Sequence, residues 1–418
     1  MPPLPIEGRS ADWIRDRLDA LSREDVDWRS GRAFSLAYSA GPEVQALTDE
    51  VLTRFQSSNA LNVAAFPSLR VMQAEIVDMV SSLLHLPESG GGFVTSGGTE
   101  SILCAVKAAR NLARARGLMA PEMVLPTSAH AAFEKAAADY DVRSVRVPVG
   151  ADWRADPAAM LAAINPRTAL LVASAPSYPQ GVVDPIGEIA ALAAAHEIPL
   201  HVDACMGGMT LPMLERLGRA VPAFDFRLPG VTSISVDLHK YGYTAKGASV
   251  VLYRDRALRR HQTFVTENWL GGAYGSASIL GTRSGGPIAA AWAVLQHLGL
   301  EGYLRLTTAA RLATEELVLG LRALPEIRIL AEPDATLVAF ACDGAGPKAA
   351  LDAWAVGDAL WRRGWVVDQQ KPPPSLHCTV NAVHHDKILI FLEALRAALG
   401  EVRVSGSSGP GRDYSTVE

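Results

Sequence analysis

TALLVASAPSYPQGVVDPIGEIAALAAAHEIPLHVD, residues 168–203, holds two apolar runs on either side of an Ala-rich stretch. Thr168 to Ser174 has no polar face to give to water, and Ile198 to Val202 is nearly as apolar. Between them, PIGEIAALAAAHE has helical length and spacing. Strands that are apolar on both faces, joined by a helix, belong to a parallel sheet covered on two sides. Working outward, the same alternation recurs. EMVL (122–125), SVRVP (144–148), TSISVD (232–237) and ASVVLYR (248–254) read as further strands. AHAAFEKAAADY (129–140) and the segment opening at Gly98 read as helices. The expected fold class is α/β with a mainly parallel sheet.

The flanks read differently. Ser10 can cap a helix over ADWIRDRLDALSRE, and a second helix follows the turn at Gly41-Pro42. Ile76, Val77, Val80, Leu83 and Leu84 carry a helical apolar spacing up to the glycines at 90–92, which read as a break. After Pro287 come long helices, then a smaller α+β unit with strands near 327–330, 335–341 and 376–382. Helices are expected near 353–363 and 386–399. The expected organisation is a helical arm over 1–65, a large α/β domain over 66–300, a small α+β domain over 301–403, and a disordered tail over 404–418.

Composition narrows the function. The chain has 418 residues, 39 Lys+Arg against 44 Asp+Glu, and a net charge of −5. With no basic excess, binding to nucleic acid by counterion release is excluded. The hydrophobic fraction of 49% supplies a core and excludes wholesale disorder. Cys104, Cys205, Cys342 and Cys378 form no CxxC pair, so they read as buried thiols rather than zinc ligands. No metal site is expected, and the pair His384-His385 reads as an exposed helix cap. No signal peptide or membrane-spanning run is visible. The chain reads as soluble and cytoplasmic, with transient membrane contact and an export route both left open.

Three constellations carry chemistry. Thr95-Ser96-Gly97-Gly98-Thr99 leads into a helix, where converging N–H groups and the helix dipole suit a phosphate. A plain capping turn would look the same. Asp203 ends an apolar strand, the place where open α/β sheets bind ligands, although it could equally cap a helix. Lys240 closes the strand SISVD through Leu238-His239, and burial there is expected to lower its pKa toward a nucleophilic amine. On a surface loop it would be ordinary. Together, a phosphate cradle, an acid and a lysine match the needs of pyridoxal 5'-phosphate.

These motifs resemble the sphingosine-1-phosphate lyase family, a branch of the group II decarboxylases of the aspartate-aminotransferase-like fold. The resemblance runs from about Tyr38 to His384 and is carried by VTSGGTESIL, GVVDPI, IPLHVDACMGG, GVTSISVDLHKYGYTAKGAS, GGAYGSASILGTRSGG and PPPSLHC. It implies a seven-stranded, mainly parallel sheet domain and a small C-terminal domain. It implies Lys240 as the lysine that binds the cofactor, Asp203 as partner of its pyridine nitrogen, and His130 stacked on its ring. Gly97, Gly98, Thr99 and His239 would hold the phosphate. Gly281 and Thr282 would reach the site of a second subunit, making a homodimer with shared active sites. Tyr178, Tyr38 and Lys246 would serve the reaction, with Tyr38, Lys246, Asn59 and Asn62 against the substrate.

The family's eukaryotic members carry a histidine where Asn62 stands in Asn59-Ala60-Leu61-Asn62, and an amide cannot titrate near neutrality. Any acid–base role there passes to Tyr38, Tyr178 or Lys246. Their N-terminal membrane anchor also has no counterpart, a pattern expected of a bacterial, soluble branch. The implied reaction is retro-aldol cleavage of a phosphorylated sphingoid base to a long-chain aldehyde and phosphoethanolamine. Tyr178 or the released Lys240 would take the C3 hydroxyl proton. The rival readings are an amino-acid decarboxylase using the same cofactor and, more remotely, a cofactor-free binding protein of the same fold.

Overall fold

The strand, helix and strand of residues 168–203 form as expected, inside a larger sheet. The computed structural model describes residues 4–344 and 350–409. Its main sheet holds β1 (Gly91–Thr95), β2 (Glu122–Pro126), β3 (Arg143–Val147), β4 (Thr168–Ser174), β5 (Leu200–Asp203), β6 (Val231–Asp237) and β7 (Ser249–Tyr253). The spatial order is β1-β7-β6-β5-β4-β2-β3. The run from β3 to β6 is parallel, and β7 is antiparallel to both β6 and β1. Every residue of β2, β4, β5 and β7 is buried, which is why these segments carry no polar alternation.

β1 is the main-sheet strand that sequence patterning missed. Its glycines look like a break, but a Cβ on Gly92 would lie 2.5 Å from Leu252 Cδ2 and 2.8 Å from Val77 Cγ1. Glycine is needed there so that β1 can pack between β7 and the helix before it. That helix belongs to the N-terminal set α1 (Ala11–Leu21), α2 (Pro42–Phe55) and α3 (Pro67–Leu83). Ser10 caps α1 by accepting from Trp13 N, as expected, yet α1 buries none of its residues. α4 (Gly98–Ala115) follows β1 directly and packs its apolar face on the sheet.

A hairpin of β8 (Phe264–Thr266) and β9 (Tyr274–Ser276) leads to the long helix Gly286–Arg322. That helix bends at Gly299, whose φ of 53° breaks the helical run. Before the bend and shortly after it, Ile288, Leu295 and Leu306 join the core of the main sheet; Leu317 and Leu321 join a second core. The second core packs on a four-stranded sheet ordered β10 (Arg328–Ile329), β11 (Leu337–Ala341), β13 (Ser375–Thr379), β12 (Asp368–Gln370). The N-terminal arm docks on this sheet, because Phe34 N donates to Val366 O and Thr379 N donates to Phe34 O.

Two expectations are corrected at the C-terminal end. His384 is not an exposed cap: it is fully buried, stacks on Phe34 at 4.1 Å, and meets Ala33 O through Nε2. Residues 404–409, expected in a disordered tail, are placed: the last helix runs through Ser405, and Gly409 N donates to Asp352. Residues 410–418 lie outside the described residues. Among the described residues, no helix is long and apolar enough to cross a membrane.

Candidate active site

Parallel strands all end on one edge of a sheet, so the loops that follow them share one space. Here the C-terminal ends of β1, β2, β4, β5 and β6 open onto a cavity of about 1080 Å³. Gly97, Gly98 and Thr99 line it from the start of α4, and His130 from the turn after β2. Tyr178 comes from the turn after β4, Asp203 from the end of β5, and His239, Lys240 and Lys246 from the loop after β6. Tyr38 enters from the N-terminal arm, and Asp368 to Pro372 close the cavity from the small sheet.

Lys240 differs from expectation in one respect. Its Nζ lies 2.9 Å from Oδ2 of Asp237, a carboxylate buried at the end of β6. Burial works to lower the lysine pKa, as the sequence suggested, but the charges of Asp237 and, more weakly, Asp203 outweigh it. The net shift is upward, so the resting amine is an ammonium ion. Asp237 was not singled out from sequence. It also accepts from Ser249 Oγ, and Lys240 and His239 hold its carboxyl low against the effect of burial.

Asp203 is 8% exposed and accepts from Ser235 Oγ at 3.2 Å and Cys205 N at 3.1 Å. Below it, His201 is wedged between Ser233 and Ser235 as a packed strand residue, and burial pushes its pKa down to about 4. His130 Nδ1 accepts from Ala132 N, which leaves the ring proton on Nε2. Burial lowers its pKa too, so a neutral ring faces the cavity.

At the start of α4, a Cβ on Gly98 would lie 2.8 Å from both Asp237 carboxylate oxygens and from Cys205 Sγ. Only glycine lets the helix end sit this close. His239 borders the same corner. Its Nδ1 is buried with no hydrogen-bond partner, as is Ser128 Oγ on the cavity wall. Buried polar atoms are normally satisfied, so two unsatisfied ones beside a helix N-terminus mark a place for a ligand anion.

Tyr38 and Lys246 form a second group. Lys246 Nζ lies 5.2 Å from the Tyr38 ring centroid and donates to His239 O at 3.4 Å. Lys246 is an exposed residue that lines the cavity. Burial and the neighbouring Lys240 lower its pKa to about 8. Tyr178 packs its ring, tilted, on His377 at 4.3 Å and donates its hydroxyl to Asp368. Burial and that carboxylate hold its pKa well above the ordinary phenol value.

Four expected site residues lie elsewhere in this chain. Asn59 and Asn62 do not line the cavity: their side-chain oxygens accept from Leu61 N and Ala65 N, closing a turn. Gly281 and Thr282 are exposed and also stand outside it. The two segments run side by side, with Ala60 N donating to Arg283 O and Asn59 bridged to Ser284. Glu100, missed from sequence because it reads as a first-turn helix acid, joins this region to the cradle. It accepts from Ser96 N, Ser278 Oγ and Ile279 N.

The conserved domain of pyridoxal-dependent decarboxylases matches residues 5–343. Sphingosine-1-phosphate lyase 1 of Rattus norvegicus is 41% identical over 402 residues, covering 96% of this chain and 70% of that protein. The chain belongs to the sphingosine-1-phosphate lyase family. The Dictyostelium discoideum lyase is 39% identical, covering 97% of this chain and 76% of that protein. The solved Burkholderia pseudomallei lyase is similar with a TM-score of 0.91 at 39% identity, covering 97% of this chain and 94% of that one. A Lactobacillus brevis glutamate decarboxylase, at 21% identity and a TM-score of 0.84, shares the fold.

The residues present fit pyridoxal phosphate, the cofactor of the family. The cradle at Gly97–Thr99 with the unsatisfied His239 Nδ1 and Ser128 Oγ suits its phosphate. The neutral ring of His130 suits stacking, Asp203 offers a carboxylate to a ring N–H, and Lys240 supplies the amine. Glycine, histidine, acid and lysine therefore fit as a set.

Proposed function

We propose that this lyase cleaves a phosphorylated sphingoid base between C2 and C3, giving a long-chain aldehyde and phosphoethanolamine. The observation that carries this reading is the Tyr38–Lys246 group beside Lys240. A decarboxylase that shares the cofactor needs to place a carboxylate and a side chain. Here a second cation, in addition to the cofactor lysine, opens into the same cavity, where it can hold a substrate phosphate as a point charge.

Each residue then has a task. Bound pyridoxal phosphate supplies the electron sink for the broken C–C bond. Lys240 would hold the cofactor through its amine and, when free of it, would be the amine available to move a proton at C2. Asp203 keeps a proton on the nitrogen it faces. Lys246 orients the substrate phosphate, and Tyr38 fixes Lys246 through its ring. Tyr178 receives the C3 hydroxyl. The apolar tail leaves toward the mouth, where Leu36, Trp153, Trp354 and Pro372 provide apolar wall. Incubation of the loaded enzyme with sphingosine-1-phosphate tests the reading: phosphoethanolamine supports it, whereas release of carbon dioxide from amino acids without phosphoethanolamine favours the decarboxylase.

The active assembly in this reading is a homodimer in the cytoplasm, with Gly281 and Thr282 closing the partner's cofactor site and Asn59 and Asn62 carried with them. Three features support it. These residues stand together outside their own chain's cavity. The segment before them exposes Phe264, Val265, Trp269 and Leu270, an apolar surface that monomers seldom leave in water. α1 likewise leaves Trp13, Ile14, Leu18 and Leu21 uncovered.

A further inference from the structure

We propose that Asp368, reaching in from the small sheet, is the terminal acceptor of the C3 hydroxyl proton, and that Tyr178 relays it. This rests on the retro-aldol reading above and says which group completes it.

The geometry fixes both partners. Asp368 opens β12 and pairs in register with His377 of β13. Tyr178 packs its ring against that same His377, so the ladder sets the carboxylate beside the phenol. One carboxylate oxygen, Oδ1, accepts from Ser35 Oγ at 2.6 Å. The other, Oδ2, accepts the Tyr178 hydroxyl. A phenol has one proton, and here it points at Asp368. One lone pair of Tyr178 Oη faces the Thr379 hydroxyl, and the other is left to accept from a hydroxyl on the cavity side.

Tyr178 alone makes a poor base. Burial and the adjacent carboxylate keep it a neutral phenol, as they disfavour phenolate. A relay removes that difficulty, because no phenolate need accumulate. The C3 O–H bond breaks as a new O–H bond forms on Tyr178. Tyr178's own O–H bond breaks as one forms on Asp368 Oδ2. The C3–O bond becomes a carbonyl, the C2–C3 bond breaks, and its electron pair stays with C2. C2 then takes up one proton from solvent by way of the Lys240 amine, and Asp368 returns its own to solvent after the aldehyde leaves. The cycle is proton-neutral.

The groups that face this pair come from the small sheet, the N-terminal arm and the turn after β12. His377 is pushed down to about 4 by burial, and Cys378 is pushed up. Ser35 and Thr379 donate or accept without titrating. Tyr38 faces Tyr178 from the arm, while Lys371 on the following turn lies over Trp354 at 5.4 Å. Asp368 acts through Tyr178, so it is a positioning residue with a proton-holding role.

The test uses the loaded enzyme and sphingosine-1-phosphate. Wild type must first give phosphoethanolamine; if it gives none, the retro-aldol reading fails, and the relay with it. Given turnover, Asp368→Asn is expected to lower kcat about 10²-fold with KM within about threefold. Asp368→Glu should restore part of kcat. Tyr178→Phe should fall as far as Asp368→Asn, and the double variant no further, because the two act as one unit. Independent, multiplying losses would overturn the relay even with phosphoethanolamine still forming, as would a kcat within threefold for Asp368→Asn. A proton inventory on wild type covers the case of variants that fail to fold. A bowed dependence on deuterium fraction is expected, and a linear one overturns the proposal.

Discussion

Lys240 Nζ rests 2.9 Å from Asp237 Oδ2, three residues before it, rather than against the Asp203 carboxylate assigned to the cofactor ring. The pairing stores the lysine as an ammonium ion until the cofactor arrives. An amine must be neutral to attack an aldehyde, and Asp237 is what opposes the lowering effect of burial. Asp237→Asn should therefore let the apoprotein capture pyridoxal phosphate at lower pH than wild type, read from the rise of visible absorbance. Removing a partner from a buried pair should also destabilise the fold by about 3–5 kcal/mol. Unchanged capture across pH would show that Asp237 does not control the amine.

Lys246 sets an upper pH limit on substrate binding. It is charged below its pKa of about 8 and neutral above it, and repulsion from Lys240 acts in the same direction as burial. The sign follows: KM for the phosphorylated substrate should rise as pH passes 8, while kcat changes less. Lys246→Gln should raise KM about tenfold or more at neutral pH, and its KM should be flat across that range. Steady-state kinetics from pH 6 to 9 checks both.

Glu100 braces the phosphate cradle. Burial works to raise its pKa, but three hydrogen bonds from Ser96, Ser278 and Ile279 bring it below the ordinary value. A depressed carboxyl stabilises the fold above its unfolded pKa, about 4.3 for glutamate. That contribution is lost as pH falls through the folded value. Glu100→Gln should cost about 1–3 kcal/mol near neutrality and progressively less below pH 4, measured by thermal melts at several pH values.

Shared sites are tested by mixing. Nothing stands within 4 Å of a Cβ on Gly281, so Gly281→Trp should leave its own chain intact. If Gly281 closes the partner's site, Gly281→Trp and Lys240→Ala should each be inactive. Dissociated and remixed, they should recover about a quarter of wild-type activity, since one site in each hybrid is wholly native. Activity no greater than that of the separate parents would contradict shared sites.

What could be read in the chain beforehand follows physical lines. Asp203 and Lys240 were legible because a charged residue ending an apolar strand stands out against its neighbours. Gly97 to Thr99 were legible as a helix start. Asp237 was hidden as the last residue of a strand, its pairing visible only once the loop folds back. Asp368 lies 190 residues from Tyr178, in a polar stretch whose strand is three residues long, and neither its contact nor its register has a local signature. β1 was hidden because its glycines signal a turn locally, while the need for them comes from Leu252 and Val77 in other elements. Asn59 and Asn62 were placed by resemblance, and their turn sets them on the surface that carries Gly281.

The most direct measurement is a product balance on loaded wild type supplied with sphingosine-1-phosphate. Aldehyde and phosphoethanolamine should appear in equal amounts, with no carbon dioxide, and neither should form with Lys240→Ala. Carbon dioxide from an amino acid, with the sphingoid phosphate left intact, would contradict the account.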